Sequence, residues 1–455
     1  MFDIHSCFIA LILPQEGSHG NVWPPRSRLG ILEGVLMDLF SRPSPESSRR
    51  HSVSLCEAVL DSASAYKLVP EKYHKHLDEL RENIRAFCKE FGIPNEALRN
   101  VEAFGAALKS SIISQKRMVE AVLLFRRLEY LVTNKEPLQE APPEYLVETE
   151  RLYHLREQYD SQVTLLERLG ILEHGAILGI DGHKYPIPTL EQIAQRLYEQ
   201  REKLETKQDQ GFIKLLLVPF GMSLNALIDT LKIFLRSYKQ EHENFDLNTH
   251  DSVWIWEDGY LDGDVDDPPK IFYYPKFFDV KKHGGRAKRQ ILHEQVEHPD
   301  SFFPGWTIHL FQPSDPTNLH SKGFAPIPRR GEGKTYGKEN PRFDLEAGKR
   351  PKEYLPDLLA AQTNEDSPYF QESGLTPEDW IIAFMTHLIE TGQPLNDRDK
   401  KENASYLIGS VICSSWVAFV PHGDWDSDQK RVELGSRGGP GCFTKDFGIR
   451  TSVIV

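Results

Sequence analysis

The hydrophobic pattern changes near Asn244, and this change constrains the fold of the 455-residue chain more than any other feature. Before that point, apolar residues recur at steps of three and four, the spacing of one face of an amphipathic helix. After it, short aromatic-rich segments such as SVWIW, KIFYYP and GWTIHLF are separated by long polar connections, which is typical of strands. Because helices and strands are segregated along the chain, the sequence predicts an α+β protein.

The same patterns predict four segments. Residues 1–50 are rich in Pro, Ser and Gly, which predicts a poorly ordered N-terminus. Residues 51–172 are expected to form a helical module, and residues 173–244 a connecting region of helices and a strand. Residues 245–455 are expected to form a mixed domain with few regular elements and long loops. The helical module shows its period most clearly at Tyr73, Leu77, Leu80, Ile84, Phe87 and Phe91.

Local signals place individual elements within these segments. Thr189 and Gln192 form a capping-box pattern that predicts a helix through residue 204, and a second helix is expected over residues 223–238. The apolar run 214–220 is compatible with a strand or with the start of that second helix, and we favour the strand. Later, Thr376 and Pro377 predict a helix start and Gly392 its end.

Composition narrows the class of partner and the compartment. A net charge of −13 and a pI near 5.8 argue against nucleic acid or an anionic membrane as the main partner. The five cysteines (Cys7, Cys56, Cys88, Cys413 and Cys442) show no CxxC spacing, which is typical of reduced thiols. The apolar run 7–14 is too short to span a membrane and lacks signal-peptide features. We expect a cytoplasmic chain, with surface display through an unrecognised export route left open.

Three motifs imitate ligand sites, and each fails at a required position. The GEGKT stretch, residues 331–335, has Pro328 where a phosphate loop needs its first glycine. LHEQVEH, residues 292–298, has Glu297 where a zinc helix needs its second histidine, and the acidic stretch 257–269 lacks the glycine and glutamate of an EF-hand. These segments are expected to be a basic loop, a solvated helix face and an acidic turn. We predict no catalytic residue, no cofactor and no metal, and therefore no enzyme.

The stretch before the terminal strand, residues 425–450, mixes charged, small and aromatic residues with little period and is interpreted as exposed surface. Adaptable polar side chains beside rigid aromatic ones have the chemistry of a protein-binding surface. A plain polar loop before the last strand is the alternative. On the binding interpretation, Trp425 and Phe443 are the aromatic anchors, and Asp426, Asp428 and Arg437 select by charge.

The segments GLTPEDWIIAFMTHL, YLIGSVICSSW, WDSDQKRVELGSRGGPG and DFGIR, in this order, resemble the variable proteins of diversity-generating retroelements in an uncharacterised bacterial family. The resemblance covers residues 170–455. Those proteins carry a C-terminal C-type-lectin fold of the formylglycine-generating-enzyme subtype. A mutagenised reverse-transcribed template rewrites codons near the end of the gene, so that surface positions vary on a fixed scaffold. The resemblance implies a C-type-lectin-like domain over residues 245–455, with a hypervariable segment 416–450 that binds an unknown protein ligand.

Carried onto this chain, the resemblance assigns Trp380, Gly448 and Arg450 to the scaffold. The ligand-facing set, with Trp425 included as an anchor, is His422, Asp424, Trp425, Asp426, Ser427, Asp428, Ser436, Arg437, Cys442, Phe443 and Thr444. The calcium and sugar motifs of animal lectins are absent from the sequence, so the resemblance does not imply carbohydrate binding.

Two alternatives stay open. One is an oxidase of the formylglycine-generating type, which would bind copper through Cys442. The lack of a neighbouring cysteine in the sequence weighs against it. The other is an intracellular scaffold in which the helical module forms a homo-oligomer and the rest is passive.

Overall fold

The computed structural model describes residues 66–94, 143–397, 402–436 and 438–455, together with nine positions between 124 and 137. The chain divides into two units, Met1–Ala141 and Pro142–Val455. Residues 1–50, where we expect a poorly ordered N-terminus, lie outside the described part. Among the described residues, no helix has both the length and the apolar character needed to cross a bilayer.

In the first unit, helix α1 (His74–Glu90) follows a single 3-10 turn (Glu71–Tyr73). The predicted apolar face is confirmed, since Leu77, Leu80 and Ile84 are among the residues it buries. The helix stops where Gly92 adopts a left-handed conformation with φ of 64°, because glycine takes that conformation without steric cost.

The second unit begins with two helices that the sequence assigned to the helical module. Helices α2 (Glu144–Tyr153) and α3 (Leu155–Arg168) contribute to the large core of the C-terminal unit. The Leu217 amide donates to the side chain of Gln162 at 2.7 Å, which ties α3 to the buried strand Lys214–Val218. The division between units therefore precedes the boundary predicted at residue 172. Periodicity identifies a helix but not its packing partner.

The remaining helices follow in chain order. They are α4 (Leu190–Glu199), α5 (Arg201–Asp209), α6 (Leu224–Glu241), α7 (Glu257–Tyr260), α8 (Lys288–Glu297), α9 (Pro351–Gln362) and α10 (Pro377–Thr391). The capping box of Thr189 and Gln192 starts α4 as predicted. The predicted helix through residue 204 is interrupted near Gln200, where α4 ends and α5 begins.

A four-stranded antiparallel sheet in the order β3-β6-β16-β9 lies in the main core. Its strands are β3 (Lys214–Val218), β6 (Thr307–Phe311), β9 (Glu372–Gly374) and the terminal β16 (Thr451–Ile454). The strand preferred for residues 214–220 is thus confirmed, and all five of its residues are buried. The C-terminal strand pairs on both edges, so it is an integral part of the core.

A five-stranded mixed sheet, ordered β15-β10-β13-β14-β4, includes the hairpin with most of the predicted ligand-facing residues. It consists of β4 (Val253–Ile255), β10 (Ala404–Tyr406), β13 (Pro421–Asp426), β14 (Arg431–Ser436) and β15 (Phe447–Ile449). A three-stranded sheet joins β12 (Ala418–Phe419), β11 (Ser410–Cys413) and β5 (Ile271–Tyr273). Two short hairpins complete the described strands: β1 (Ala176–Leu178) with β2 (Lys184–Pro186), and β7 (Thr335–Tyr336) with β8 (Arg342–Phe343).

Helix α10 is buried along nearly its whole length, and the buried residues include the polar Glu378, Asp379 and His387. Thr376 and Asp379 form its capping box, Pro377 takes the first turn, and Gly392 ends it with φ of 70°, as predicted. The described chain therefore contains both helices and sheets, and the α+β class is confirmed.

Candidate functional site

Strands β13 and β14 form an antiparallel hairpin that contains most of the predicted ligand-facing residues. The turn between them is fixed locally, because the Gln429 amide donates to Asp426 Oδ1 at 2.9 Å and Lys430 adopts φ of 55°. Ser427 donates to Asp397 Oδ1 at 2.6 Å, and Asp428 is exposed. The irregular surface expected over residues 425–450 thus includes a regular hairpin.

Three predicted residues are buried, which corrects the sequence interpretation. His422, Asp424 and Trp425 are 2%, 0% and 4% exposed. They lie on β13, which is paired on both edges by β10 and β14. Helix α10 packs so closely on this strand that a Cβ at Gly423 would lie 2.5 Å from the Trp380 ring. The exposed position expected for these three side chains is therefore wrong.

Trp425 is a core residue of the C-terminal unit and not a surface anchor. Its ring lies 5.4 Å from Phe245 and 6.3 Å from Phe384, centroid to centroid. Its amide donates to Asn396 O at 3.2 Å. Aromatic side chains in such packing stabilise a fold mainly by burying area and through ring–ring contacts.

His422, Asp424 and Glu433 bring three metal-ligating side chains together across the hairpin. Their ligand atoms lie within 4.8 Å of one another, and His422 Nε2 is 3.5 Å from Asp424 Oδ1. Gly435 leaves room for the imidazole, since a Cβ there would lie 2.7 Å from the ring. One imidazole and two carboxylates have the donor chemistry of zinc or iron sites. Sequence spacing missed this group because Glu433 joins it only through strand pairing.

A second histidine group, His154, Glu157 and His320, meets the same distance criterion at a more exposed position. The two imidazoles lie 4.2 Å apart in an edge-to-face arrangement. His320 is far from His154 and Glu157 in the sequence, so spacing along the chain did not predict this group.

The last predicted residues lie at the end of β14, where Ser436 is the final residue, and in the loop that follows. Cys442 is exposed and Phe443 is 56% exposed, whereas Ser436 and Thr444 are half-buried. Arg437 lies outside the described residues. The Cys442 amide donates to Gly439 O at 2.9 Å and closes a turn that presents the cysteine and the phenylalanine at its end.

The most exposed aromatic side chain of the described chain, Trp416, is not among the predicted ligand-facing residues. Trp416 is 90% exposed and Val417 is 43% exposed, in a turn closed by the Ser414 amide donating to Val417 O at 3.0 Å. This turn adjoins the Cys442 loop, because a Cβ at Gly439 would lie 3.9 Å from Val417 Cγ1. The signal available in the sequence was a second Trp within the predicted variable segment 416–450.

Basic side chains flank this apolar surface. The Arg350 guanidinium lies 5.9 Å from the Phe443 ring, at the outer limit of a cation–π contact. The Lys352 amide donates to Pro440 O at 3.3 Å, which holds the start of α9 against the same loop. We name the surface formed by Trp416, Val417, Cys442, Phe443, Arg350 and Lys352 the C-terminal rim. Both basic side chains are exposed, and the Arg350 guanidinium also lies 3.9 Å from the Glu353 carboxylate.

The residues assigned to the scaffold are buried beneath the hairpin. Asn396 Oδ1 accepts from Trp380 Nε1 and from Arg450 Nη1, both at 3.0 Å. Arg450 also donates to Ala325 O, and burial lowers the pKa of its guanidinium to about 10. A Cβ at Gly448 would lie 2.6 Å from Ile327. These contacts fix the framework from which the exposed loops project.

The GEGKT segment is held by acidic side chains. The amides of Gly331 and Gly333 donate to Glu346 Oε1 at 2.8 and 2.9 Å, and the Lys334 amide donates to Asp344. The donors that a phosphate would require are therefore already used within the protein.

The expectation for the LHEQVEH helix agrees with the structure, whereas the expectation for the acidic stretch 257–269 agrees only in part. His293 and His298 are exposed on α8 and at its end, as expected for a solvated helix face. The expected acidic turn is only partly correct, because Asp264 is 2% exposed and forms an ion pair with Lys288. The buried His387 accepts the Phe324 amide through Nδ1 at 3.0 Å.

Comparison with protein-family models, with curated proteins and with solved structures found no match to this chain.

Proposed function

We propose that the chain is a ligand-binding variable protein that engages a protein partner through the C-terminal rim. The observation that carries this proposal is the 90% exposure of Trp416, in a turn that adjoins the loop of the half-exposed Phe443. Exposing two large aromatic side chains to water costs free energy that burial against a partner would recover. Trp and Arg are also the residues most enriched where binding energy concentrates.

The charges around the rim indicate the kind of partner. Arg350 and Lys352 flank the apolar centre on a chain whose net charge is −13. A partner with an apolar pocket bordered by Asp or Glu side chains would complement both features. This arrangement favours an acidic protein surface over nucleic acid, for which the overall charge is unsuitable.

The architecture of the C-terminal unit supports the retroelement interpretation, because it separates exposed loops from a buried framework. Exposed loops project from a sheet in which β10, β15 and most of β13 are buried, which allows loop residues to change while the framework stays. Residues 245–455 contain short strands and long connections around α10, in keeping with the C-type-lectin resemblance. On this proposal, diversified positions coincide with exposed loop residues and not with the buried His422, Asp424 and Trp425.

The test is to sequence the 3′ end of the gene and its flanks across a natural population. We expect a near-copy template beside a reverse transcriptase gene, with differences at template adenines. We also expect those differences in the exposed loops 414–417, 426–430 and 438–444. The buried residues of β13 are the internal control. Uniform sequence without a template, or variation concentrated in the buried strand, would contradict the proposal.

A further inference from the structure

A lysine and two carboxylates meet in the interior of the C-terminal unit, away from the rim. Lys288, Asp264 and Glu378 all have 0% side-chain exposure. The lysine Nζ lies 2.6 Å from Asp264 Oδ2 and 2.8 Å from Glu378 Oε1. The three residues come from the start of α8, from the loop after α7 and from the first turn of α10, so only the tertiary fold brings them together.

This group has one basic and two acidic side chains. If both carboxyl groups were ionised, a negative charge would remain in the interior, where an unbalanced charge is costly. Among the described residues, no hydrogen-bond partner contacts Asp264 Oδ1 or Glu378 Oε2, although both atoms are buried. A single added proton would balance the charge of the group, and the carboxyl group that carried it would be a neutral acid.

The surroundings exclude water and hold the reacting groups. The Phe220 and Tyr273 rings lie 5.3 and 5.6 Å from Lys288 Nζ. Nζ also donates to Met222 O at 2.7 Å, and the Leu224 amide donates to Asp264 Oδ2 at 2.9 Å. An amine and a carboxylic acid fixed in contact react far faster than the same groups free in solution.

We propose that Lys288 and Asp264 condense spontaneously into an internal amide bond, with Glu378 as the proton carrier. The Lys288 ammonium transfers one proton to Glu378, and the freed lone pair attacks Cγ of the protonated Asp264. The N–Cγ bond forms, and the Leu224 amide stabilises the developing charge on Oδ2. The Cγ–Oδ1 bond then breaks, and Oδ1 leaves as water with its own proton and a second proton from Nζ. No oxidant or other reactant is required.

The contacts assign Asp264 as the acyl group and Glu378 as the carrier. Asp264 Oδ2 accepts a backbone amide, which suits an oxygen that becomes negatively charged. Glu378 Oε1 instead accepts the Tyr273 hydroxyl at 2.6 Å and contacts Nζ directly, which suits a group that receives the proton released by Lys288.

The chain contains a matched internal control. Lys207 Nζ lies 2.8 Å from Glu372 Oε1, and both side chains are also buried. Here, however, Arg342 donates to both oxygens of the same carboxylate, at 2.8 and 2.9 Å. Two cations keep Glu372 ionised, and a carboxylate is a poor acyl donor. We expect no amide bond at Lys207.

The test is intact-mass spectrometry of the denatured full-length protein after incubation in the folded state. We expect the wild type to lack the mass of one water relative to its sequence. Glu378→Gln, which keeps the side-chain shape, should retain the full mass. Trypsin should release residues 240–270 joined to residues 287–289, because the modified Lys288 resists cleavage. Circular dichroism checks that the variant is folded.

Each other outcome has a definite meaning. A full-mass wild type refutes the bond, whatever the variants show. A linkage from Lys288 to Glu378 refutes the assignment of Asp264. Loss of water in the folded Glu378→Gln variant overturns the role of Glu378 as proton carrier. Loss of water at Lys207 would refute the charge argument that separates the two lysines.

Discussion

Replacing Trp416 or Trp425 by alanine tests whether the structure has correctly separated the surface tryptophan from the core tryptophan. Trp425 is 4% exposed and packs against Phe245 and Phe384, so its loss leaves a cavity. Removing a buried Trp side chain costs about 3–5 kcal/mol of unfolding free energy. Trp416 is 90% exposed, and substitutions at such positions change stability by no more than about 0.5 kcal/mol.

Urea unfolding followed by far-UV circular dichroism measures both variants without relying on tryptophan fluorescence. With a denaturant slope of about 3 kcal/mol per molar, Trp425→Ala should lower the urea midpoint by about 1 to 1.7 M. Trp416→Ala should leave the midpoint within about 0.2 M of wild type by the same conversion. Equal midpoints for the two variants, or a larger loss for Trp416→Ala, would refute the placement of both side chains.

Three further predictions concern the buried polar groups. Glu372→Gln should cost about 3–5 kcal/mol in urea unfolding, because it leaves the buried Arg342 and Lys207 without their anionic partner; an unchanged midpoint would contradict the ion network. Burial lowers the pKa of His387 to about 3, so on acidification the unfolded state protonates this histidine before the folded state does, and stability should fall from about pH 6.5 toward pH 3. The variant His387→Gln should show a smaller loss of stability between pH 7 and 5. An identical pH profile for variant and wild type would contradict the role of His387. Thr376→Ala should destabilise by about 0.5–2 kcal/mol through loss of the α10 cap, whereas Thr376→Ser should retain most of the stability, and equal losses would exclude capping as the cause.

Local signals predicted several elements correctly because their causes are local. The Thr376 cap, the proline at the first turn and the left-handed Gly392 define α10 within a short stretch of sequence. The Thr189 capping box starts α4 for the same reason. Hydrogen bonds between residues three or four positions apart form regardless of the rest of the fold.

Local signals could not predict the buried group formed by Lys288, Asp264 and Glu378. Asp264 belongs to a segment that reads as an acidic turn, and Lys288 begins an ordinary amphipathic helix. Each looks like a solvated charge until the fold brings both beside Glu378. Charged side chains are normally exposed, so sequence alone favours the wrong environment.

By itself, the sequence determined the α+β class, the limits of the well-capped helices and the presence of a ligand-like mixture of residues near the C-terminus. Tertiary structure decided which of those residues reach the surface. The polar appearance of β13 indicates exposure, but the strand pairs with β10 and β14, and β14 in turn pairs with β4 from much earlier in the chain. Burial depends on these long-range neighbours, and no local pattern specifies them. Trp425 is therefore in the core, while Trp416 lies at the rim.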